Sequence, residues 1–137
     1  MKLMTTIKVA VKGILLKNDK MLIVRRSAFE TSGAGTWENV GGELEFGESL
    51  ETALKREFHE EVNLSITVQK QLYSTTFFTK KDRQIVLLTY LCESQNDNIL
   101  LSNDHDQFLW ATKEELLKLL PDSIISDYKQ YGVLDLL

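Results

Sequence analysis

Between residues 6 and 16, polar and apolar positions alternate and then give way to an apolar run. This pattern predicts a strand, with Gly13 as a candidate bulge. Asn18-Asp19 reads as a turn into a second strand over 20–26, followed by a Gly- and Ser/Thr-rich loop over 29–36. The period then changes. Leu50, Leu54 and Phe58 recur at helical spacing with Ala53 at the edge of their stripe, and Ser49 is placed to cap a helix starting at Leu50. Residues 65–78 read as extended, and Lys80-Lys81-Asp82 as a hairpin turn. The Ile-, Val-, Leu- and Tyr-rich run 84–93 predicts a strand buried on both faces. A polar loop over 94–98 and a short strand over 107–111 come next. Thr112 then caps a helix over 113–120, with Glu115 at the capping-box position and Pro121 ending it. A last helix with a frayed tail is expected over 123–137. No repeat, low-complexity tract or linker interrupts the sequence.

A chain of 137 residues is expected to form one domain, 1–137, large enough to bury a core without staples. The single Cys92 has no internal disulfide partner and lies in an apolar run. It reads as a buried filler and suits a reducing, cytoplasmic setting. Lysines at 2, 8 and 12 break up the N-terminal apolar residues, so neither a signal peptide nor a membrane span is expected. A formal charge of -4 argues against an extended nucleic-acid surface but leaves room for a small nucleotide whose metal brings positive charge.

The chemistry concentrates between Gly41 and Leu64. Glu57, Glu60 and Glu61 fall within an arc of about 100° on the helix, close enough to repel one another. A helix with charges solvated opposite its apolar face would be unremarkable. Here Glu57 and Glu61 overlap or border the apolar stripe, so the three acids are expected to face inward, where a carboxylate is costly unless paired or metal-bound. Their hard oxygen ligands suit Mg2+ or Mn2+. Upstream, Gly41-Gly42 lets the backbone come close to a ligand, and Gly47 allows a bend before the helix.

Gly42, Glu48, Arg56, Glu57, Phe58, Glu60, Glu61 and Leu64 stand at the spacing of a Nudix box, and the segment resembles that family. Asn63 replaces the box's final glycine. Asn tolerates the left-handed backbone of a helix end, so the shape is expected to survive. Val40 stands where many members carry Pro. The resemblance implies an α+β fold, an α/β/α sandwich with a mixed central sheet. It also implies metal-dependent hydrolysis of the diphosphate linkage in a nucleoside diphosphate-X substrate.

Within that resemblance, Glu57, Glu60 and Glu61 are the expected metal ligands, with the Gly41 carbonyl beside them. One of the glutamates takes a proton from water. Glu48 is an orienting acid, and Arg56 orients a carboxylate through a bidentate pair. Asp104 is the first choice for a loop acid reaching the metal and Asp106 the second, whereas His105 reads as a surface loop residue and His59 as exposed. Arg26 is a candidate for substrate phosphate against a plain solvated arginine, and Trp37 a candidate for stacking on a base against a packing role. The small size resembles MutT-like nucleoside triphosphate pyrophosphohydrolases. Hydrolysis of ADP-ribose or nucleotide sugars, or a silent nucleotide-binding module, are the alternatives. Many relatives are homodimers, which the resemblance extends to this chain as an expectation.

Overall fold

The computed structural model describes residues 4–28, 30 and 33–137, so Phe29, Thr31 and Ser32 of the loop expected over 29–36 lie outside the described residues. The elements are β1 Thr6–Lys17, β2 Lys20–Arg26, β3 Trp37–Glu38, β4 Val40–Glu43, α1 Leu50–Val62, β5 Ile66–Lys80, β6 Arg83–Ser94, β7 His105–Ala111, α2 Lys113–Leu119 and α3 Asp122–Gln130. A short 3-10 turn, Val133–Leu136, closes the chain.

Strand β1 organises the mixed sheet. One edge pairs in parallel with β6, from Thr6 opposite Arg83 to Leu15 opposite Cys92, and β5 continues the sheet antiparallel to β6. The other edge of β1 pairs first with β4, over Ala10–Gly13, and then with β2 at Leu16 and Lys17. Strand β2 in turn pairs with β7 and with the two residues of β3. Residues 37–43 therefore cross from β2 to β1 and hold the two strands apart below their hairpin. Neither β3 nor β4 is visible as a strand in the sequence, because two to four residues are too few to show a period.

The period-2 pattern of β2 explains the layers. Leu22 and Val24 face a core built with Ala53, Leu54, Phe58 and Val62 of α1. Met21 and Ile23 face a second core built with Leu116 of α2 and Ile125 and Tyr128 of α3. The sheet is thus sandwiched between α1 and the α2–α3 pair, as the family resemblance implied. The Thr112–Glu115 capping box forms in full. Among the described residues, no helix is long and apolar enough to cross a membrane.

Three sequence expectations need correcting. Gly13 is not in a bulge, since the β1–β6 register runs through it without a shift. Its role is steric. A Cβ there would collide with the ring of the fully buried Phe58 and come within 3.3 Å of Cys92 Sγ. Strand β6 is central but not buried on both faces: Ile85, Thr89 and Cys92 are buried while most other positions are half-buried. The last helix stops at Gln130. Gly132 then turns left-handed at φ 72°, and the tail packs rather than frays, with Val133 buried and Tyr131 stacked on Tyr73 at 4.9 Å.

Gly13→Ala is expected to destabilise the fold by about 1–3 kcal/mol, the range for overpacking a filled core, although alanine is otherwise favoured over glycine in a strand. Chemical denaturation of the two proteins measures the difference. A variant as stable as the parent would show that Phe58 does not depend on the missing Cβ.

Candidate active site

Helix α1 begins and ends where local chemistry dictates. The Ser49 hydroxyl accepts the Thr52 N–H at 3.1 Å. At the far end Asn63 takes the left-handed conformation, φ 61° and ψ 32°, and its N–H returns to the His59 carbonyl. Asn63 thus does what the glycine of the box would do. The buried residues of the helix are Ala53, Leu54, Phe58, Glu61 and Val62. Glu61 therefore lies within the apolar face and Glu57 borders it. Glu60 corrects the expectation of three inward acids: one helical step off the stripe, its side chain is 57% exposed. His59 is exposed, as expected.

Arg56 collects the acids. Its Nε and Nη2 grip the two oxygens of Glu48 at 2.7 and 2.9 Å, a bidentate pair. Nη1 reaches Glu57 at 2.9 Å and Glu60 at 3.3 Å, and Nη2 also donates to the Glu43 carbonyl at 3.1 Å. Hydrogen bonds from Arg56, with the Glu45 N–H, hold the Glu48 carboxyl down at about 2. Glu45 also lies 3.8 Å from Nη1, so one guanidinium stands against four carboxylates.

The two glycines ahead of the helix make room for those acids. A Cβ on Gly42 would lie 2.6 Å from Glu57 Oε1. A Cβ on Gly41 would strike the Val11 carbonyl and Lys12. With its backbone pressed against β1, Gly41 donates its N–H to Glu61 Oε2 at 3.1 Å. Burial pushes the Glu61 carboxyl up to about 7, with Lys12 and His105 pulling against the rise and Glu57 adding to it. Burial also raises Glu57, opposed by Arg56.

A second charged group lies beside the first, where residues 37–43 cross between β2 and β1. Glu38 receives Lys12 Nζ at 3.4 Å, Arg26 Nη1 at 3.5 Å and His105 Nε2 at 2.9 Å. Burial alone would raise the Glu38 carboxyl, but Lys12, the hydrogen bond from His105 and Arg26 hold it down at about 2. His105 therefore corrects the surface-loop reading: it is 4% exposed, because β7 starts at His105, two residues before the predicted Gln107, and pairs it with Arg26. Sequence reasoning also missed Lys12 and Glu38. The alternation of β1 marks Lys12 as a polar residue inside an otherwise buried run, and that was the available signal.

Of the remaining candidates, Arg26 joins the Glu38 group while Trp37, Asp104 and Asp106 lie apart from the acids of α1. Arg26 also pairs with Glu30 at 3.1 Å. Trp37 packs against the α2–α3 core. Asp106 binds Arg25 at 2.8 Å on the surface. Asp104 is exposed, in a loop tied to α1 by the hydrogen bond from Ser102 N–H to the Glu61 carbonyl at 3.0 Å. On the α3 side of the sheet lies a cleft of about 560 Å³, with Lys12, Glu38 and Asn39 at its wall together with Phe77, Phe78 and Asp127.

The donor set suits a hard divalent cation. Glu57, Glu60 and Glu61 offer carboxylate oxygens beyond those bound to Arg56 and Gly41, and the acids outnumber the cations beside them. Among the described residues, no three acidic, His or Cys side chains already stand close enough together to form a cage.

Residues 6–131 match the NUDIX domain family profile. The chain is 31% identical over 108 residues to a MutT-like protein of Streptomyces ambofaciens, covering 79% of this chain and 66% of that protein. It is 30% identical over 108 residues to a CTP pyrophosphohydrolase of Escherichia coli strain K12, covering 79% and 78%. The crystal structure of a MutT protein from Methanosarcina mazei Go1 superposes with a TM-score of 0.85 over 98% of this chain and 99% of that one. At 20% identity, that likeness speaks to the fold alone.

The buried Glu61 has a direct stability consequence. Its folded pKa, about 7, lies above the ordinary value of 4.5, so folding favours the protonated form. The cost of ionising it is absent below pH 4.5, grows as pH rises and is complete above pH 7. Glu61→Gln keeps an acceptor for the Gly41 N–H without the charge. In EDTA, the variant should melt close to the parent at pH 4.5 and several degrees above it at pH 8, an advantage of about 2–3 kcal/mol. Equal melting temperatures at pH 8 would contradict the burial argument.

Proposed function

We propose, on the premise that the chain belongs to the NUDIX family of phosphoanhydride hydrolases, that its substrate is a nucleoside triphosphate cleaved to the monophosphate and pyrophosphate. The observation that carries this reading is the local excess of carboxylate on α1. Glu57 and Glu61 are drawn into the protein beside Gly41 and Gly42, with Arg56 as the cation that binds Glu57 and Glu60. A protein has little reason to bury acids in this way unless a cation completes the site. The adjoining cleft is large enough for a nucleoside and carries exposed aromatic rings, Phe77 and Phe78, at its wall. The CTP pyrophosphohydrolase among the relatives supports the triphosphate reading.

Glu57, Glu60 and Glu61, with the Gly41 carbonyl, would hold Mg2+ or Mn2+. When bound, such an ion neutralises phosphate oxygens and lowers the pKa of water. The chain's own residues do the rest. Arg56 fixes the Glu57 carboxylate, and Glu48 fixes Arg56, so the acids are aimed before substrate arrives. The Gly41 N–H holds one oxygen of Glu61 and leaves the other available. One glutamate of the set accepts a proton as water attacks phosphorus. The cleft receives the nucleoside, and the acids face the diphosphate.

Product analysis over a panel of nucleoside triphosphates, ADP-ribose and nucleotide sugars, with Mg2+ and with Mn2+, tests the reading. A triphosphate should yield monophosphate and pyrophosphate, and Glu60→Gln should lower the rate at least about 100-fold. Turnover of ADP-ribose or a sugar nucleotide, but of no triphosphate, would replace the substrate assignment. No turnover above the Glu60→Gln background would remove the enzyme reading.

A further inference from the structure

Lys12 stands between the two parts of the site. It lies on β1 on the same face as Ala10, at the wall of the cleft, and its side chain is 22% exposed. Its ammonium donates to the Asn39 carbonyl at 3.0 Å and to Glu38 Oε1 at 3.4 Å. A lysine has three donors, so one N–H stays available to a ligand. The stem runs past Gly41, the residue that holds Glu61: a Cβ on Gly41 would lie 2.9 Å from Lys12 Cδ.

The charge around the cleft gives Lys12 a particular task. The Asp, Glu, Lys and Arg residues of the cleft wall are Lys12, Glu38 and Asp127, so among the described residues Lys12 is its one cation. Its charge also reaches Glu57 and Glu61, lowering the proton affinity of both. Of the wall's two acids, Glu38 is already paired with Lys12, Arg26 and His105, so an anion entering the cleft meets Asp127 as the unscreened acid and Lys12 as the cation that lines it. We propose that Lys12 is a substrate-binding residue that takes an oxygen of the phosphate attached to the nucleoside, and so makes the cleft select phosphorylated over unphosphorylated nucleosides. Glu38 and Asn39 position the ammonium for that contact. The inference rests on the hydrolase reading of the site, but it concerns binding and is tested without turnover.

The test is calorimetric titration of AMP, GMP, CMP and UMP, each against its nucleoside, with Mg2+ present. The parent should bind at least one monophosphate more tightly than its nucleoside. In Lys12→Met that preference should fall by about tenfold or more, the usual worth of a charged hydrogen bond, while nucleoside affinity holds. Lys12→Arg should keep most of the preference. Should Lys12→Met not fold, Lys12→Gln keeps a donor for the Asn39 carbonyl and should show the same loss. An unchanged preference, a parallel weakening of nucleoside and monophosphate, or a parent with no preference would each overturn the inference. A protein that shows the Lys12-dependent preference yet hydrolyses no nucleotide would uphold it and remove the hydrolase reading instead.

Discussion

Much of this structure depends on three side chains that are missing. Helix α1 lies close to β1 and β4 because Gly13 and Gly42 present bare backbone to it, and β4 lies close to β1 because Gly41 does the same toward that strand. Phe58 fills the space over Gly13, Glu57 that over Gly42, and Gly41 is pressed against β1 so that its N–H meets Glu61. Apolar packing and acid placement are therefore one geometric problem. The ring of Phe58 fixes the height of the helix, and the carboxylates one residue before it and three after it are carried along. A methyl group at any of the three positions would push against the helix or the strand beneath it.

Much of this was legible in the sequence because it is local. Ser49 and Asn63 define the ends of α1 through contacts within one turn, and the spacing of Glu57 and Glu61 against Leu54 and Phe58 is a property of the helix itself. Arg56 and Glu48 sit eight residues apart, within reach once the helix forms. What escaped the sequence is set by pairing across the chain. Lys12 meets Glu38 and Asn39 over 26 and 27 residues, and His105 meets Glu38 over 67. Strands β3 and β4 exist because β1 and β2 separate and leave both edges to be filled, which no short window reveals. Glu60 was drawn too far inward because an arc of about 100° places neighbouring acids together without saying which of them clears the core edge.

The charged residues divide into two balances with opposite outcomes. Glu38 is surrounded by Lys12, Arg26 and His105 and stays ionised well into acid. Glu61, the more buried of the two, has a backbone N–H and more distant cations, and it holds a proton up to about neutral pH. Lys12 acts on both. The protein therefore keeps one half-buried acid satisfied by its own cations and a buried one that is not, and the second belongs to the helix that carries the other two acids.

Cys92 gives this arrangement an internal gauge. It is buried, burial pushes its thiol up to about 12, and its sulfur lies where Gly13 and Phe58 meet. In the closed fold the nucleophilic thiolate is almost absent and a reagent has no approach. Alkylation must wait for α1 to lift from the sheet, so the labelling rate of this one sulfur reports how often the helix bearing the acids detaches. Because Cys92 is the chain's single cysteine, that clock can be read on the unmodified sequence.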